Sequence, residues 1–142
     1  MNTLHIDIAD SAGLAEVAAF YETVGYGGGV SSADVTLTAR SAGRLAGAVR
    51  LCAESGVIVL RGMHVAPALH GQDIGRALLD HCVPYLDKGE AYCVPYEHLV
   101  RFYGQVGFVV APPASLPPFL AERLAGYAAA NRRTIAMRRL PV

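Results

Sequence analysis

The sequence has no tryptophan, carries no net charge and contains only three cysteines. Charged residues make up 17% of the chain, below the usual share of about a quarter. The chain also lacks an apolar run of about 18 residues and a basic N-terminal segment followed by a long apolar one, which are the patterns of a membrane span and an export signal. These absences argue against membrane insertion and export, and we expect a cytoplasmic protein.

The charge balance also bears on partners. Twelve basic residues offset twelve acidic ones, whereas a nucleic-acid-binding domain is expected to carry a basic excess. The only basic cluster lies near the end of the sequence and consists of Arg132, Arg133, Arg138 and Arg139. Nucleic acid is therefore not an expected partner.

The cysteines and histidines give no sign of a disulfide framework or a metal site. Cys52, Cys82 and Cys93 are an odd number at wide spacings without a C-x-x-C pair, which is typical of reduced thiols. The spacing between histidines and carboxylates does not resemble that of metal ligands. We therefore expect no metal.

The length of 142 residues fits one domain spanning 1–142, which buries roughly 68% of its unfolded surface. Apolar residues make up 53% of the chain. Together with the low charged fraction, this indicates a well-filled core and leaves room for a subunit contact, so a homodimer stays open.

Hydrophobic periodicity predicts the elements of the first half. Residues 4–8 alternate between apolar and polar, as in a strand with one buried face. Asp10 or Ser11 then caps a helix that ends at Gly25. Three extended stretches joined by tight turns follow at 35–39, 45–52 and 57–66, and they predict an antiparallel meander.

The second half alternates helices with short strands. A helix connects the 57–66 strand to a short strand at 91–94, so these two strands are expected to be parallel. Apolar spacing over 119–127 predicts a further helix before a terminal strand at 133–140.

The most informative stretch is 60–79, in which an apolar strand runs to a proline and a glycine-bearing loop opens into an amphipathic helix. Backbone N–H groups at a helix N-terminus are unpaired and carry the positive end of the peptide dipoles. The segment from Gly71 to Arg76 can therefore hold a pyrophosphate without a lysine.

This segment resembles the acyl-CoA-binding motif of the GNAT acyltransferase superfamily, a strand followed by R/Q-x-x-G-x-G/A and a helix. Val65 and Pro67 stand where the family has V-x-P. The motif itself reads His70, Gly71, Gln72, Asp73, Ile74 and Gly75. His70 departs from the customary basic or amide residue and Asp73 from the middle glycine.

A second segment, residues 91–108, resembles the closing motif of the same superfamily, a strand and a tyrosine-bearing helix that ends in Gly-Phe. Leu99, Phe102, Tyr103 and Val106 share one helical face, and Gly107 is a natural helix stop. Tyr96 stands where the family often has an asparagine.

The resemblance implies a mixed α/β GNAT fold with a mostly antiparallel central sheet, one splayed parallel pair and flanking helices. It also implies an N-acetyltransferase that transfers an acetyl group from acetyl-CoA directly to the primary amine of a small molecule. The alternative is a non-catalytic acyl-CoA-binding module. The residues implied in acetyl-CoA binding are Met63, His64, Val65, His70, Gly71, Gln72, Asp73, Ile74, Gly75, Arg76, Tyr96 and Tyr103.

Tyr103 is the candidate acid, because a phenol with a pKa of about 10 is protonated at neutral pH and can donate to a leaving thiolate. Packing within the core is the alternative for this side chain. Cys93 invites a covalent mechanism, but buried cysteines mostly act as small apolar residues and the family usually transfers directly.

The base is less well defined, because no glutamate stands on the strand before the V-x-P segment. His64 can accept a proton directly or through water, although a structural histidine and deprotonation by solvent are the favoured alternatives. Arg61 either attracts a carboxylate on the acceptor or is solvated. Tyr21, Tyr26 and Tyr96 either line the acceptor pocket or pack in the core and at its rim.

Overall fold

The computed structural model describes residues 4–70 and 73–142, and within them seven strands form one sheet. The strands are β1 (Leu4–Ile8), β2 (Val35–Ser41), β3 (Arg44–Glu54), β4 (Val57–Val65), β5 (Ala91–Cys93), β6 (Val109–Val110) and β7 (Met137–Arg139). Their order across the sheet is β1-β2-β3-β4-β5-β7-β6. Only β4 and β5 pair in parallel among these strands, which confirms the expected mixed sheet.

Four α-helices of the described residues flank the sheet. They are α1 (Ser11–Val24), α2 (Ile74–Leu86), α3 (Val100–Gly104) and α4 (Pro118–Ala129). Single 3₁₀ turns lie at Pro67–Leu69, Glu97–Leu99 and Pro113–Ser115. The helix predicted over 119–127 is confirmed as α4. In the described part of the chain, no helix is both long and apolar enough to cross a membrane.

Capping chemistry sets the bounds of α1. The Asp10 carboxylate accepts a hydrogen bond from the Gly13 amide at 2.8 Å, which satisfies one of the free N–H groups of the first turn. Gly25 ends the helix in the left-handed conformation with φ of 77°. Val17 and Tyr21, on the inner face of α1, are fully buried.

The meander of β2, β3 and β4 is antiparallel as predicted, and β4 carries a bulge. Arg61 pairs with Arg50 and His64 with Ala48, so two residues of β4 face one residue of β3 between those pairs. Gly62 lies in this bulge with φ of 69°, a conformation that favours glycine. A Cβ atom there would also lie 2.6 Å from the Tyr21 hydroxyl.

The bulge decides which side chains of β4 face α2. Leu60, Met63 and Val65 all pack with the core cluster that α2 and α3 build on one face of the sheet. Val59 packs instead against α4 on the other face. Without the extra residue, the two-residue alternation would send Met63 and Val65 to the face opposite Leu60.

The parallel pair is short, and the two strands then separate. Pairing runs from Ile58 opposite Ala91 to Leu60 opposite Cys93. Beyond this point β4 continues along β3, whereas the chain after β5 turns towards the last strand: the Pro95 carbonyl accepts a hydrogen bond from the Ile135 amide at 2.9 Å. A gap therefore opens between β4 and β5 on the side where both strands end.

Candidate active site

The gap between β4 and β5 opens into a cavity of about 580 Å³. Its walls come from four parts of the chain: the loop after α1, the bulged end of β4, the segment from Cys93 into α3, and α4 with the loop that follows it. This volume is within the range of about 300–1,000 Å³ that is usual for small-molecule sites.

The exposed edge of β4 supplies backbone donors to this cavity. The Ala66 amide donates to the Ala46 carbonyl at 2.8 Å, so alternation directs the amides of Ala66 and His64 towards β3. The amides of Met63 and Val65 then face the gap. His64, the third residue predicted to offer an edge N–H group, lines the cavity with its side chain instead.

The N-terminus of α2 lies beside this edge. Asp73 precedes the helix with φ of 57°, and its side chain makes no capping hydrogen bond. The first hydrogen bond of the helix runs from the Ala77 amide to the Asp73 carbonyl at 3.0 Å. Among the described residues the amides of Ile74, Gly75 and Arg76 have no hydrogen-bond acceptor, so they can bind an anion. Gly71 and Gln72, also predicted here, lie outside the described residues.

The side chains around this helix start hold it against β4 and α3. His70 is exposed, and its Nε2–H donates to the Val65 carbonyl at 2.9 Å, which ties the loop to the end of β4. The Ile74 side chain is buried in the core. The Arg76 guanidinium binds the Asp80 carboxylate at 3.0 Å and also contacts Gln105, so its charge is already partly satisfied.

Tyr103, on α3, reaches the cavity from the face of the sheet that α2 covers. Its side chain is buried, and its ring lies edge-on to Phe102 and Phe108, with centroids 5.0 and 6.2 Å away. Burial raises the pKa of Tyr103 above its usual value, so the phenol is protonated at neutral pH. Among the described residues its hydroxyl has no hydrogen-bond partner, which leaves the proton available to a ligand.

Cys93 also lines the cavity, but its environment disfavours a nucleophile. The side chain is 1% exposed, and burial raises the pKa of its thiol well above the ordinary value. A thiol in this state carries little thiolate at neutral pH, and the thiolate is the reactive form.

His64 lies on the other face of the sheet. It is half-buried, and its ring centroid is 5.0 Å from that of Tyr26. Burial lowers the pKa of His64 below 6.5 because the charged imidazolium is poorly solvated there. The imidazole is therefore neutral at pH 7 and can accept a proton or hydrogen-bond a water molecule.

A buried arginine fixes the loop after α1, which forms one wall of the cavity. Arg50 donates to the Asp34 carboxylate at 3.1 Å, to the Tyr26 hydroxyl at 3.1 Å and to the Gly28 carbonyl at 3.4 Å. Tyr26 and Tyr96 line the cavity, whereas Tyr21 is buried and donates to the Gly62 carbonyl at 2.8 Å. Tyr96 is exposed and stacks on His98. Sequence reasoning missed the role of Arg50.

The remaining wall comes from the last third of the chain, where sequence reasoning predicted a helix but no functional residue. Arg123 and Tyr127 of α4, followed by Arg132 and Thr134, all line the cavity. The helical spacing of Arg123 and Tyr127 was the one available signal, since it places them on one face of α4. It did not indicate what that face contacts.

The basic cluster of the tail is divided between the cavity and the sheet. Arg138 binds the Glu90 carboxylate at 2.8 Å, and Arg139 is buried and donates to the Val106 carbonyl at 2.7 Å. These two arginines support the last strand, and Arg132 faces the cavity. Within residues 4–70 and 73–142, no group of three or more His, Cys, Asp or Glu residues is placed to hold a metal ion.

Solved structures share this fold at low sequence identity. An N-acetylglutamate synthase from Neisseria gonorrhoeae, complexed with coenzyme A and N-acetyl-glutamate, aligns with a TM-score of 0.68 and 18% identity, over 99% of this chain and 35% of its own. This chain thus spans about a third of that protein.

Two further structures match over nearly their whole length. Rv2747 from Mycobacterium tuberculosis, in complex with CoA, aligns with a TM-score of 0.72 and 18% identity, over 97% of this chain and 99% of its own. The ribosomal-protein-S18-alanine N-acetyltransferase from Escherichia coli aligns with a TM-score of 0.69 and 16% identity, over 99% and 96%. No curated protein sequence matches the chain significantly.

A family model gives the assignment that these distant structures cannot. The model of the acetyltransferase (GNAT) domain matches residues 32–110, which run from the meander through α2 and Tyr103 to β6 and make up more than half of the chain. Acyl-CoA-dependent N-acetylation is the general chemistry of this domain, and the chain belongs to the GNAT acetyltransferase family.

Proposed function

We propose that the protein transfers an acetyl group from acetyl-CoA directly to the primary amine of a small molecule. The observation that carries this proposal is the cavity at the separation of β4 and β5, where backbone donors and a protonated phenol meet. The coenzyme A in the Neisseria gonorrhoeae and Mycobacterium tuberculosis structures supports acyl-CoA as the donor.

Binding of acetyl-CoA is assigned to the start of α2 and the open edge of β4. The pyrophosphate would accept hydrogen bonds from the amides of Gly75 and its neighbours, and the pantetheine arm would pair with the amides of Met63 and Val65. The Asp73 side chain makes no capping bond that would compete for the helix amides. Gly71, Gln72, His70 and Tyr96 remain assigned to this site as proposals.

In the reaction, the amine nitrogen attacks the thioester carbonyl, and a β4 amide stabilises the negative charge that develops on the oxygen. Removal of one such donor in other enzymes costs roughly 3 kcal/mol. The C–S bond then breaks, and the Tyr103 hydroxyl gives its proton to the departing thiolate. The nitrogen loses its remaining extra proton to solvent as the amide forms, and solvent returns a proton to the Tyr103 phenolate. The raised pKa of Tyr103 keeps this proton in place until the thiolate forms.

Direct transfer is favoured over an acyl-enzyme, because burial raises the pKa of the Cys93 thiol and so removes its thiolate. The amine must lose a proton before it attacks. His64 can take this proton as a neutral imidazole, directly or through water, and solvent is the alternative acceptor. We favour solvent, since His64 packs against Tyr26 and Tyr21 as a structural residue would.

The donor site is tested by Gly75→Glu, with Gly75→Ala as the matched control. A Cβ atom at Gly75 would meet Phe102 at 3.5 Å and Val65 at 3.7 Å, which are ordinary contacts, so alanine should fold and bind normally. Glutamate adds a negative charge to the proposed pyrophosphate site, and we expect acetyl-CoA affinity to fall by about tenfold or more. Titration calorimetry measures both variants, and unchanged affinity in Gly75→Glu would refute the assignment.

Turnover is tested by thiol release from acetyl-CoA in the presence of amino acids, polyamines, aminoglycosides and peptides. Release that depends on one class of amine is expected. Tight acetyl-CoA binding without thiol release for any amine would instead support the non-catalytic acyl-CoA-binding module.

A further inference from the structure

The side of the cavity formed by the end of β4, by α4 and by the loop after α4 is positively charged. Arg61, Arg123 and Arg132 line the cavity, and none of the lining residues in the described part of the chain is an aspartate or a glutamate. Arg61 follows Leu60, the last residue of β4 that pairs with β5, so it lies where the two strands begin to separate.

One of these three charges is neutralised within the protein. Both terminal guanidinium nitrogens of Arg123 donate to the Glu54 carboxylate, at 2.6 and 3.1 Å. Arg61 is half-buried, and within residues 4–70 and 73–142 it has neither a salt bridge nor a side-chain hydrogen bond. Arg132 lies over the Tyr127 ring at 5.4 Å, also without a carboxylate partner among these residues. Arg61 and Arg132 therefore face the cavity without a salt bridge among the described residues, although Arg61 is near enough to Glu54 to help Arg123 lower the pKa of that carboxyl.

The two arginines determine which ligands suit this side of the cavity. A ligand with anionic oxygen acceptors would pair both of them, whereas a cation would be repelled by both.

We propose, on the basis of the function proposed above, that the acceptor is an amine that carries a carboxylate, as amino acids do, and that Arg61 and Arg132 bind this carboxylate. A planar guanidinium matches the two oxygens of a carboxylate, which orients the acceptor as well as attracting it.

The charges of Arg61 and Arg132 also affect how the acceptor amine loses its proton, since no glutamate stands at the usual position of the base. Positive charges near a bound ammonium favour its neutral form and so lower its pKa. An arginine-lined site therefore makes the free amine easier to form without a dedicated base. It also excludes polyamines, because their remaining ammonium groups would be repelled.

The proposal is tested with matched acceptors that differ only in the carboxylate. L-Alanine, L-glutamate and L-methionine are compared with their α-carboxamides, and spermidine represents the polycations. We expect kcat/KM to be at least about tenfold higher for the acids, because one charged hydrogen bond is lost in each amide. Acetylation of spermidine or of the amides as fast as the acids would overturn the acceptor assignment and leave the proposed function intact. Phosphoethanolamine and ethanolamine form a second pair, and a preference confined to the phosphate would also overturn the carboxylate assignment.

The residues are tested by Arg61→Gln and Arg132→Gln, with Arg133→Gln as the control because Arg133 is adjacent but does not line the cavity. We expect each of the first two to raise KM for the acids by about tenfold to a hundredfold, with KM for acetyl-CoA unchanged. Loss of activity that is equal for the acids and the amides would contradict a role in carboxylate binding.

A binding measurement separates failure of this proposal from failure of the proposed function. Glutarate and its neutral diamide are titrated into the CoA-loaded protein, which requires no turnover. Binding of glutarate that is lost in Arg61→Gln would support the anion site even if no amine is acetylated. Equal affinity of glutarate and the diamide would refute it.

Discussion

The two sides of the cavity are built in different ways. The proposed donor side uses residues 57–108, in which β4, α2, β5 and α3 follow one another along the chain. The proposed acceptor side combines the loop after α1, Arg61 and the segment from α4 to Thr134, which are far apart in sequence. Consecutive elements with local signals can be identified from a single sequence. A wall assembled from distant segments cannot.

Tyr103→Phe tests the donor side and has the largest expected effect. The change removes one hydroxyl and leaves the ring packed between Phe102 and Phe108. Because a positioned acid contributes typically about 100- to 10,000-fold, kcat should fall by that factor at nearly constant acetyl-CoA affinity. Steady-state kinetics and calorimetry measure the two quantities.

Tyr92→Phe is the matched control, since Tyr92 is buried on β5 but bonds to Glu90 and does not line the cavity. It should leave kcat within about twofold. A loss below about threefold in Tyr103→Phe would mean that Tyr103 only packs in the core.

Gly62→Ala tests the bulge of β4, which lies between the donor side and the acceptor side of the cavity. Its expected effect, on stability, ranks second in size. Alanine would be strained at φ of 69°, and its Cβ atom would displace the Tyr21 hydroxyl from the Gly62 carbonyl. We expect the free energy of unfolding to fall by about 2–4 kcal/mol. Chemical denaturation measures it.

Gly126→Ala provides the comparison, because Gly126 lies in α4 with no atom within 4 Å of the added Cβ. That change should stabilise the protein by about 0.5–1 kcal/mol. If Gly62→Ala costs less than about 1 kcal/mol, the bulge tolerates a side chain and glycine is not required there.

His64→Gln tests the acceptor side and has the smallest expected effect. Burial lowers the pKa of His64 in the native state, so the unfolded chain binds more protons as the pH falls through 6.5. The contribution of neutral His64 to the free energy of unfolding is therefore fully present above pH 6.5, and it is lost as the pH falls towards the lower pKa of the folded protein. The wild-type protein should lose more stability between pH 7.5 and 5.5 than His64→Gln does. Denaturation curves at both pH values measure the difference.

His5→Gln, a change of an exposed histidine on β1, should keep the wild-type pH dependence of stability. In kinetics, the rising limb of kcat/KM should follow the amine and survive in His64→Gln, as expected if solvent takes the proton. Disappearance of a limb near or below pH 6.5 in this variant would make His64 the base.

Much of the fold was predictable because its signals are local. The helix cap, for which Asp10 was one of two candidates, the Gly25 stop and the meander were all predicted from residue pattern and are confirmed. The parallel partner of β4 followed from the connecting helix. The bulge at Gly62 was not predicted, because an extra residue in one strand is defined only relative to its neighbour.

The part of the site that lies in sequence motifs was predictable, and the part assembled from distant segments was not. The start of α2 and the position of Tyr103 followed from two motifs, and the structure brings Tyr103 and the open edge of β4 to one cavity. Sequence could not show that the tail arginines separate, with Arg132 at the cavity and Arg139 buried against Val106. Nor could it show that Arg50 anchors the loop after α1.

The sequence by itself determined the elements, the family and the helix start that suits an anion, because caps, glycines and apolar periods act over a few residues. The tertiary structure alone decided which charges share the cavity and which are paired. Arg61 is distant in sequence from Arg123 and Arg132, and only packing of α4 against the sheet brings the three together, with Glu54 hydrogen-bonded to Arg123. The reason is that pairing between charges depends on separation in space, which the order of residues does not specify.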